Sequence, residues 1–263
     1  IKDPSFFRFN YEQGIHDPYL FLDMEKAVDR IVKAIDNKEG IIVAGDYDLD
    51  GISGTAVLLD FFRHIGYPVH FKLPHRVKDG YGLSAKTVVK EKKEKIGVII
   101  TVDNGISCFQ EITLAQALGV DVIITDHHTI PEKIPPAFAI LHPKIESETY
   151  PDRELTGSGV AYKLACALAK RLLTENDAIA FSKWALDLAT LGTIADMGSL
   201  VGENRQIVYY GLQVLSKQRR PGIKGLLEIA GHNDPFCTAE TVGFKLGPRL
   251  NAAGRMAEAS LSL

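Results

Sequence analysis

Short runs of apolar, mostly β-branched residues alternate with longer stretches of helical spacing over the first 150 residues. The apolar runs predict five strands, at residues 41–44, 69–73, 98–102, 120–125 and 137–141. Helices are predicted between them at residues 53–65, 84–95 and 107–118. Ser53 and Ser84 are candidate N-caps. Continuously apolar strands separated by helices predict an α/β fold, with a parallel sheet covered by helices on both faces.

The pattern changes near residue 150, after which strand-like runs largely stop. Helical candidates follow at residues 159–173, 177–191, 203–216, 223–230 and 239–245. We therefore divide the chain into an α/β part, residues 1–150, and a mostly helical part, residues 151–263. No firm linker separates them, so the two parts can share one core. In open α/β sheets the ligand crevice lies beyond the carboxyl ends of the strands, and the candidate chemistry is sought there.

An acidic segment directly follows the first predicted strand. Residues 46–51 read DYDLDG, and the alternate positions Asp46, Asp48 and Asp50 point to one side of an extended segment. Two unpaired carboxylates about 4 Å apart repel each other by roughly 4 kcal/mol at an effective dielectric constant near 20. The group is therefore favoured when it is protonated, solvated as an acidic turn, or bound to cations. An EF-hand is excluded, because its twelfth position, which requires Glu, is Val57 here, and because a strand precedes the loop.

Acidic residues and histidines also follow later predicted elements. Asp103 comes after the third strand, Asp126, His127 and His128 come after the fourth, and Asp196 closes an apolar helical stretch. Each alone fits a helix cap, a turn or a hydrogen-bonded histidine. Together they indicate a metal site that suits Mn²⁺ or Mg²⁺ better than zinc. About six ligands exceed the need of one ion with an open position, so we expect two ions about 3.5–4 Å apart, with Asp103 as the bridging candidate.

These motifs resemble the four motifs of the DHH phosphoesterases, most closely the single-stranded-DNA-specific exonucleases of that family. Residues 75–82 (HRVKDGYG), 156–163 (TGSGVAYK) and 249–256 (RLNAAGRM) extend the similarity, which runs from about residue 16 to residue 256. The resemblance implies a parallel five-stranded sheet flanked by helices, in agreement with the apolar pattern. It also implies two divalent ions, Mn²⁺ first and Mg²⁺ as the alternative. Their ligands would be Asp46, Asp48, Asp50, Asp103, His127 and Asp196.

The resemblance also implies catalytic roles. Asp103 would bridge the ions, Asp126 would orient the histidines, and His128 would contact the scissile phosphate or protonate the leaving oxygen. His142 stands where Asn is more often expected, so it receives no role. The family has a second, smaller C-terminal domain. The sequence stops at Leu263, where we expect the linker to that domain to begin.

Six positions are candidates for contact with DNA phosphates: Arg76, Ser158, Gly159, Arg249, Asn251 and Arg255. An arginine at position 76 can hold a terminal phosphate through bidentate hydrogen bonds. The glycine-rich start of the helix near residue 158 offers backbone N–H groups and a positive dipole end. The plain alternatives are a surface arginine, an ordinary capped helix and a solvated turn.

Composition narrows the class of protein. Lys and Arg number 30 against 33 Asp and Glu, for a net charge of −3, so a protein that binds nucleic acid through a global positive charge is excluded. Cys108, Cys166 and Cys237 are scattered and form no C-x-x-C pair, which fits a reducing, cytoplasmic setting. The apolar runs are too short for a transmembrane helix, and no membrane partner is expected.

The sequence thus predicts a metal-dependent phosphodiesterase. The resemblance implies that it degrades single-stranded DNA from the 5′ end to mononucleotides in DNA repair and recombination, alongside other repair or replication proteins. One alternative is a DHH phosphoesterase that acts on short oligonucleotides or cyclic dinucleotides. The other is a non-catalytic replication scaffold built on the same fold, which would be expected to have lost ligand residues.

Overall fold

One parallel sheet organises the protein, whose computed structural model describes residues 9–75, 82–256 and 259–263. The sheet has the order β2-β1-β3-β4-β5. Its strands are β1 (Gly40–Gly45), β2 (His70–Lys72), β3 (Ile96–Val102), β4 (Asp121–Thr125) and β5 (Ala139–Leu141). The predicted five-stranded parallel sheet is therefore confirmed. The chain passes from β1 outward to β2 and returns to β3 on the other side of β1, so the strand order reverses between β1 and β3.

Helices surround the sheet and then make up the rest of the described chain. The first group is α1 (Tyr11–Gly14), α2 (Met24–Asp36), α3 (Leu49–His64), α4 (Ala85–Lys93) and α5 (Phe109–Ala117). The second group is α6 (Gly157–Leu172), α7 (Glu175–Trp184), α8 (Leu186–Ala195), α9 (Gly202–Leu215), α10 (Pro221–Ile229) and α11 (Gly247–Met256). A π-helix (Thr241–Leu246) precedes α11. Short 3₁₀ turns lie at Pro18–Leu20 and Ala259–Ser262.

Alternate strand residues are buried on opposite faces of the sheet. Ile41 and Val43 of β1 belong to the larger core, which they share with α2 and α3. Ile42 of the same strand belongs to the smaller core on the other face, together with Val88 of α4 and Ile112 of α5. Because both faces are covered, β1, β3 and β4 are buried at nearly every position, which explains their continuous apolar runs, whereas the edge strand β2 is partly exposed.

The helical part of the chain packs on the same face as α3 and shares the larger core. Phe61 of α3 meets Phe181 of α7 edge to face, with ring centroids 5.5 Å apart. Val102 at the end of β3 and Ala161 of α6 are buried in that same core. The sheet and the later helices therefore stabilise each other, and the division near residue 150 stays a prediction about the sequence.

The helix boundaries confirm one of the two predicted N-caps and correct the other. Ser84 caps α4 as predicted, since its hydroxyl accepts a hydrogen bond from Thr87 N at 3.2 Å. Helix α3 begins earlier than predicted, because Asp48 caps it by accepting hydrogen bonds from the N–H groups of residues 50 and 51. The Ser53 hydroxyl instead donates to Leu49 O at 2.6 Å, so the predicted Ser53 cap was wrong. The predicted helix 177–191 is two helices, α7 and α8, that meet at Ala185.

A buried ion pair fastens the N-terminal segment to the later helices. The ammonium of Lys163 in α6 lies 2.7 Å from the carboxylate of Glu203 in α9, and both side chains are almost fully buried. Glu203 also accepts hydrogen bonds from Tyr150 Oη at 2.6 Å and from His16 N at 3.0 Å. The cluster therefore connects four separate segments of the chain.

Two further observations concern the cysteines and the helices. Cys108, Cys166 and Cys237 are buried and carry free thiols. Among the described residues, helices lack the combination of length and apolar composition that a bilayer-spanning segment needs.

We predict that Lys163→Ala lowers the free energy of unfolding by about 3–5 kcal/mol, because it leaves the Glu203 carboxylate buried without its countercharge. The matched control is Lys170→Ala, about two turns further along α6. Lys170 pairs with Asp17 at 2.7 Å, but about half of each side chain is exposed, so its loss should cost less than about 1 kcal/mol. Urea denaturation measures both. Equal losses in the two variants would contradict the structural role given to Lys163.

Candidate metal centre

The carboxyl ends of β1, β3 and β4 meet in a crevice at the point where the strand order reverses. Asp46 follows β1 and Asp103 follows β3. Asp126 and His127 follow β4. Asp196 reaches the same crevice from the end of α8. The structure thus brings together residues that are up to 150 positions apart in the sequence.

His127 lies at the middle of one group of candidate ligands. Its Nε2 is 3.1 Å from Asp103 Oδ1, 3.7 Å from Asp50 Oδ2 and 3.7 Å from Asp196 Oδ2. A second group consists of Asp46, Asp48 and Asp103, with one carboxylate oxygen from each within 4.8 Å of the others. All six predicted ligands therefore lie in one cluster. Asp103 adjoins both groups, which is the position expected of a bridging carboxylate.

The backbone around Asp103 is held in an unusual conformation. Asp103 has a φ of 60°, in the left-handed region that Asp tolerates better than most residues. The Asn104 amide donates to Ala44 O at 3.1 Å and to Val102 O at 2.8 Å, which ties the end of β1 to the end of β3. A Cβ at Gly157 would lie 2.5 Å from the Asp103 carboxylate, so only glycine fits there. These contacts fix the direction of the central carboxylate.

The N-terminus of α6 holds Asp50 rather than an external anion. Asp50 accepts hydrogen bonds from Gly157 N at 2.7 Å and Ser158 N at 3.0 Å, and the positive end of the helix dipole stabilises its buried charge. Gly159 N is directed at the Thr156 hydroxyl at 3.4 Å. Ser158 and Gly159 are buried, so the structure does not support the expectation that their N–H groups bind phosphate. The helix N-terminus does bind an anion, but that anion is a side chain of this protein.

Asp126 positions the loop after β4 that carries His127 and His128, which we call the histidine loop. It accepts hydrogen bonds from Ile106 N at 2.9 Å, from His127 N at 2.7 Å and from His128 N at 3.2 Å. Its Oδ1 also lies 2.8 Å from His128 Nδ1. Burial disfavours its charge, but these hydrogen bonds outweigh burial and lower the pKa of Asp126. The hydrogen bond to Asp126 in turn raises the pKa of His128 above its ordinary value.

Electrostatics in the crevice favour a cation. Burial, followed by repulsion from neighbouring carboxylates, raises the pKa of Asp46 and of Asp196 to about 7 and that of Asp103 well above its ordinary value. Burial lowers the pKa of His127, which keeps its imidazole neutral. Asp46 Oδ1 and His127 Nε2 are buried and receive no hydrogen bond within the described part of the chain. These donors fit divalent ions, and binding such ions would release the protons that the carboxylates hold.

The remaining predicted phosphate contacts have different placements. Arg249 is exposed on α11, and its Nη1 donates to Lys245 O at 2.8 Å. Asn251 lies on the same helix and is partly buried. Arg76 and the side chain of Arg255 lie outside the described residues. For all four, phosphate contact stays a prediction.

Two residues that received no role from the sequence support the histidine loop. His142 is fully buried after β5, where its Nε2 lies 2.9 Å from His128 O and its Nδ1 accepts from Lys144 N at 3.2 Å. The Lys144 ammonium donates to His127 O at 2.8 Å. Burial lowers the pKa of His142 to about 4, so its ring is neutral and Nε2 carries the donated proton. The one feature of the sequence that could have indicated this supporting role is the position of residues 142–144 directly after a predicted strand.

The comparisons with known proteins agree with this site. Residues 40–193 match the family model for the N-terminal domain of the DHH family. The chain belongs to the DHH family. It is 43% identical over 248 residues to the single-stranded-DNA-specific exonuclease RecJ of Bacillus subtilis strain 168. That alignment covers 94% of this chain but 30% of the relative, so the chain spans less than a third of the relative's length.

Solved structures agree with this assignment. A crystal structure of exonuclease RecJ bound to manganese superposes with a TM-score of 0.80 and 36% identity, covering 92% of this chain and 60% of that one. RecJ from Thermus thermophilus in complex with Mn²⁺ gives a TM-score of 0.77 and 33% identity, covering 92% and 34%. The predicted family and fold are therefore confirmed.

We predict that Asp103→Asn leaves the metal-free protein at least as stable as wild type, because Asn tolerates the left-handed backbone and removes a carboxylate repelled by its neighbours. Wild type should gain about 2.7 kcal/mol at an Mn²⁺ concentration about 100 times its Kd, and the variant should lose most of that gain. Thermal unfolding with and without Mn²⁺ measures both effects. Asp36→Asn, at the exposed end of α2, is the control that should keep the full gain. A clear loss of metal-free stability in Asp103→Asn would show a structural role instead.

We predict that His142→Leu weakens Mn²⁺ binding roughly 10–100-fold, because residues that support metal ligands typically have effects of this size. His142→Asn offers both an amide donor for His128 O and an acceptor for Lys144 N, so it should keep affinity within about threefold of wild type. Isothermal titration calorimetry with Mn²⁺ measures all three proteins. If Asn and Leu are equally harmful, His142 acts through packing and not through its hydrogen bonds.

Proposed function

We propose that this chain is the catalytic part of a metal-dependent phosphodiesterase that hydrolyses single-stranded DNA. The observation that carries the proposal is the cluster of five aspartates and one histidine in the crevice between β1 and β3, with His128 beside it. The similarity to RecJ exonucleases over more than nine-tenths of the chain supports the choice of single-stranded DNA as substrate.

Two divalent ions fit the two groups of ligands, with Mn²⁺ favoured and Mg²⁺ as the alternative. Asp46 and Asp48 would hold one ion, His127, Asp50 and Asp196 would hold the other, and Asp103 would contact both. When bound, such ions lower the pKa of a nearby water molecule and offset the negative charge of the phosphate. Asp50 keeps lone pairs for this purpose, since each of its oxygens accepts only one backbone hydrogen bond.

His128 is the candidate proton donor. Asp126 holds its Nδ1 at 2.8 Å and raises the pKa of His128, which favours the imidazolium form that carries a proton on Nε2 as well. The attacking water would release a proton to solvent as its oxygen forms the bond to phosphorus. Nε2 would give its own proton to the leaving oxygen as the phosphorus–oxygen ester bond breaks, and the imidazole would then regain a proton from solvent. Asp126 stays ionised throughout and stabilises the charged imidazole. Its role is to position His128, so it has no need to exchange a proton itself.

We assign substrate contacts by the same reasoning. Arg76 would hold the 5′-terminal phosphate, and this end recognition would give 5′→3′ release of mononucleotides. Arg249, Asn251 and Arg255 on α11 would contact the following phosphates. The proposed cellular role is DNA repair and recombination in the cytoplasm, together with other repair or replication proteins. The free, buried cysteines suit that reducing compartment.

We predict Mn²⁺-dependent release of mononucleotides from a long single strand carrying a 5′ label, and little activity on a duplex. Asp46→Asn should lower the rate by roughly 100-fold or more, in the range seen when a preorganised group that stabilises transition-state charge is removed. Asp36→Asn should leave it unchanged. Arg76→Ala should slow hydrolysis of 5′-phosphorylated strands more than of 5′-hydroxyl strands.

The same assay separates the alternatives. Cleavage of dinucleotides without cleavage of long strands would replace the exonuclease proposal with a short-oligonucleotide phosphoesterase. Absence of Mn²⁺ binding by calorimetry would instead favour a non-catalytic scaffold. The presence of all six candidate ligands argues against that outcome.

A further inference from the structure

We infer that an apolar groove beside the metal centre binds a nucleobase of the single strand, with Phe244 as the surface on which the base stacks. We call it the base groove. It is a cavity of about 990 Å³ between the end of α8, the π-helix and α11, lined by residues that include Ala195, Met197, Phe244, Pro248 and Asn251. The inference rests on the proposed function, because it assigns the part of the substrate that lies next to the scissile phosphate.

Two of the elements that line the groove, the end of α8 and α11, also extend to the metal centre. On one wall, Ala195 and Met197 flank Asp196, whose carboxylate lies 3.7 Å from His127 Nε2. On the other wall, α11 continues from Asn251 to Gly254, where an added Cβ would lie 2.8 Å from the carbonyl oxygen of Tyr47 in the DYDLDG loop. A nucleotide whose phosphate reaches the ligand cluster therefore has its base, or that of its neighbour, within reach of this groove.

The groove presents two large apolar side chains to solvent. Phe244 is 78% exposed and Met197 is 89% exposed. Both stand on uncommon backbone, since Phe244 lies in the π-helix and Met197 has a φ of 57°. π-Helical turns frequently occur at functional sites, and large exposed apolar patches mark binding surfaces.

The lining chemistry suits a base better than a phosphate. Glu240 is the one charged residue among the described residues that line the groove, and it would repel a phosphate. Stacking on an aromatic ring needs no charge and accepts every base, because each base has a π-face. Asn251 Oδ1 is buried and receives no hydrogen bond from any described residue. An amino or imino N–H on the edge of a base would supply the donor that this oxygen lacks, whereas the phosphate contact proposed for Asn251 would use the N–H group of the same amide.

The test combines a protein variant with a DNA variant. Fluorescence anisotropy would measure the binding of two labelled strands. One is an oligothymidylate of about 12 nucleotides, a length within the range of single-strand binding sites. The other is the same strand with abasic sites at about four 5′-terminal positions. Binding is measured in Ca²⁺, with a gel to confirm that the DNA stays intact, so the readout is independent of hydrolysis. The proteins are wild type, Phe244→Ala, Phe244→Trp and the control Phe236→Ala. Phe236 is 69% exposed but does not line the groove.

We expect Phe244→Ala to raise the Kd for oligothymidylate about tenfold and to leave the Kd for the abasic strand within about twofold, since stacking on one aromatic ring contributes about 1–3 kcal/mol per base. Phe244→Trp should restore binding, and Phe236→Ala should match wild type.

An equal effect of Phe244→Ala on both strands, or no effect on either, overturns the inference. If Phe244→Ala has no effect on either strand, the groove binds a different partner, such as a segment of protein. Failure of the proposed function is recognised separately. If Phe244→Ala weakens binding only of the strand that carries bases, but no DNA is hydrolysed in Mn²⁺, the base groove is supported and the phosphodiesterase proposal is contradicted. If DNA is hydrolysed but Phe244→Ala shows no such difference, the phosphodiesterase proposal is supported and the base groove is contradicted.

Discussion

Repulsion among carboxylates in a buried crevice is the constraint around which this structure is arranged. Asp103 is 1% exposed, and its neighbours in the crevice are mostly acidic, so the metal-free cluster holds protons that free aspartates would lose. The surrounding chain compensates in specific ways. The N–H groups at the start of α6 stabilise Asp50, and backbone N–H groups with the His128 ring stabilise Asp126. Divalent ions at the crevice would offset the charge repulsion that remains among these carboxylates.

This constraint explains why the helical part of the chain is inseparable from the sheet. Helix α6 supplies the N–H groups for Asp50 and the glycine that leaves room for Asp103, and the end of α8 supplies Asp196. The buried pair of Lys163 and Glu203 then holds α6 against α9 and the N-terminal segment. The family model matches residues 40–193, which run from β1 into α8 and so include both the sheet and α6.

Pattern and residue type were sufficient for the strands and for placing a candidate metal site at the carboxyl ends of those strands. Fully apolar runs identify strands buried on both faces, and parallel strands bring their carboxyl ends to one edge of the sheet, so acidic residues after them must converge. The same reasoning failed at the start of α6, where a side chain of the protein accepts the hydrogen bonds that a phosphate was expected to accept. The start of α6 looked like a phosphate site because its N–H groups resemble one, but Asp50, more than 100 positions away, takes them. His142 looked irrelevant because its hydrogen bond to His128 O spans a loop that no local pattern describes.

The sequence by itself therefore determined the fold class, because that depends on local periodicity and on the order of strands along the chain. Its motifs indicated the family and six candidate ligands through their resemblance to the DHH phosphoesterases. The tertiary structure decided which carboxylates face donors and which face each other. It also decided that Ser158 and Gly159 are buried, and that Phe244 and Met197 are exposed beside the metal centre. These properties depend on distances between segments far apart in the chain, and a single sequence does not contain such distances.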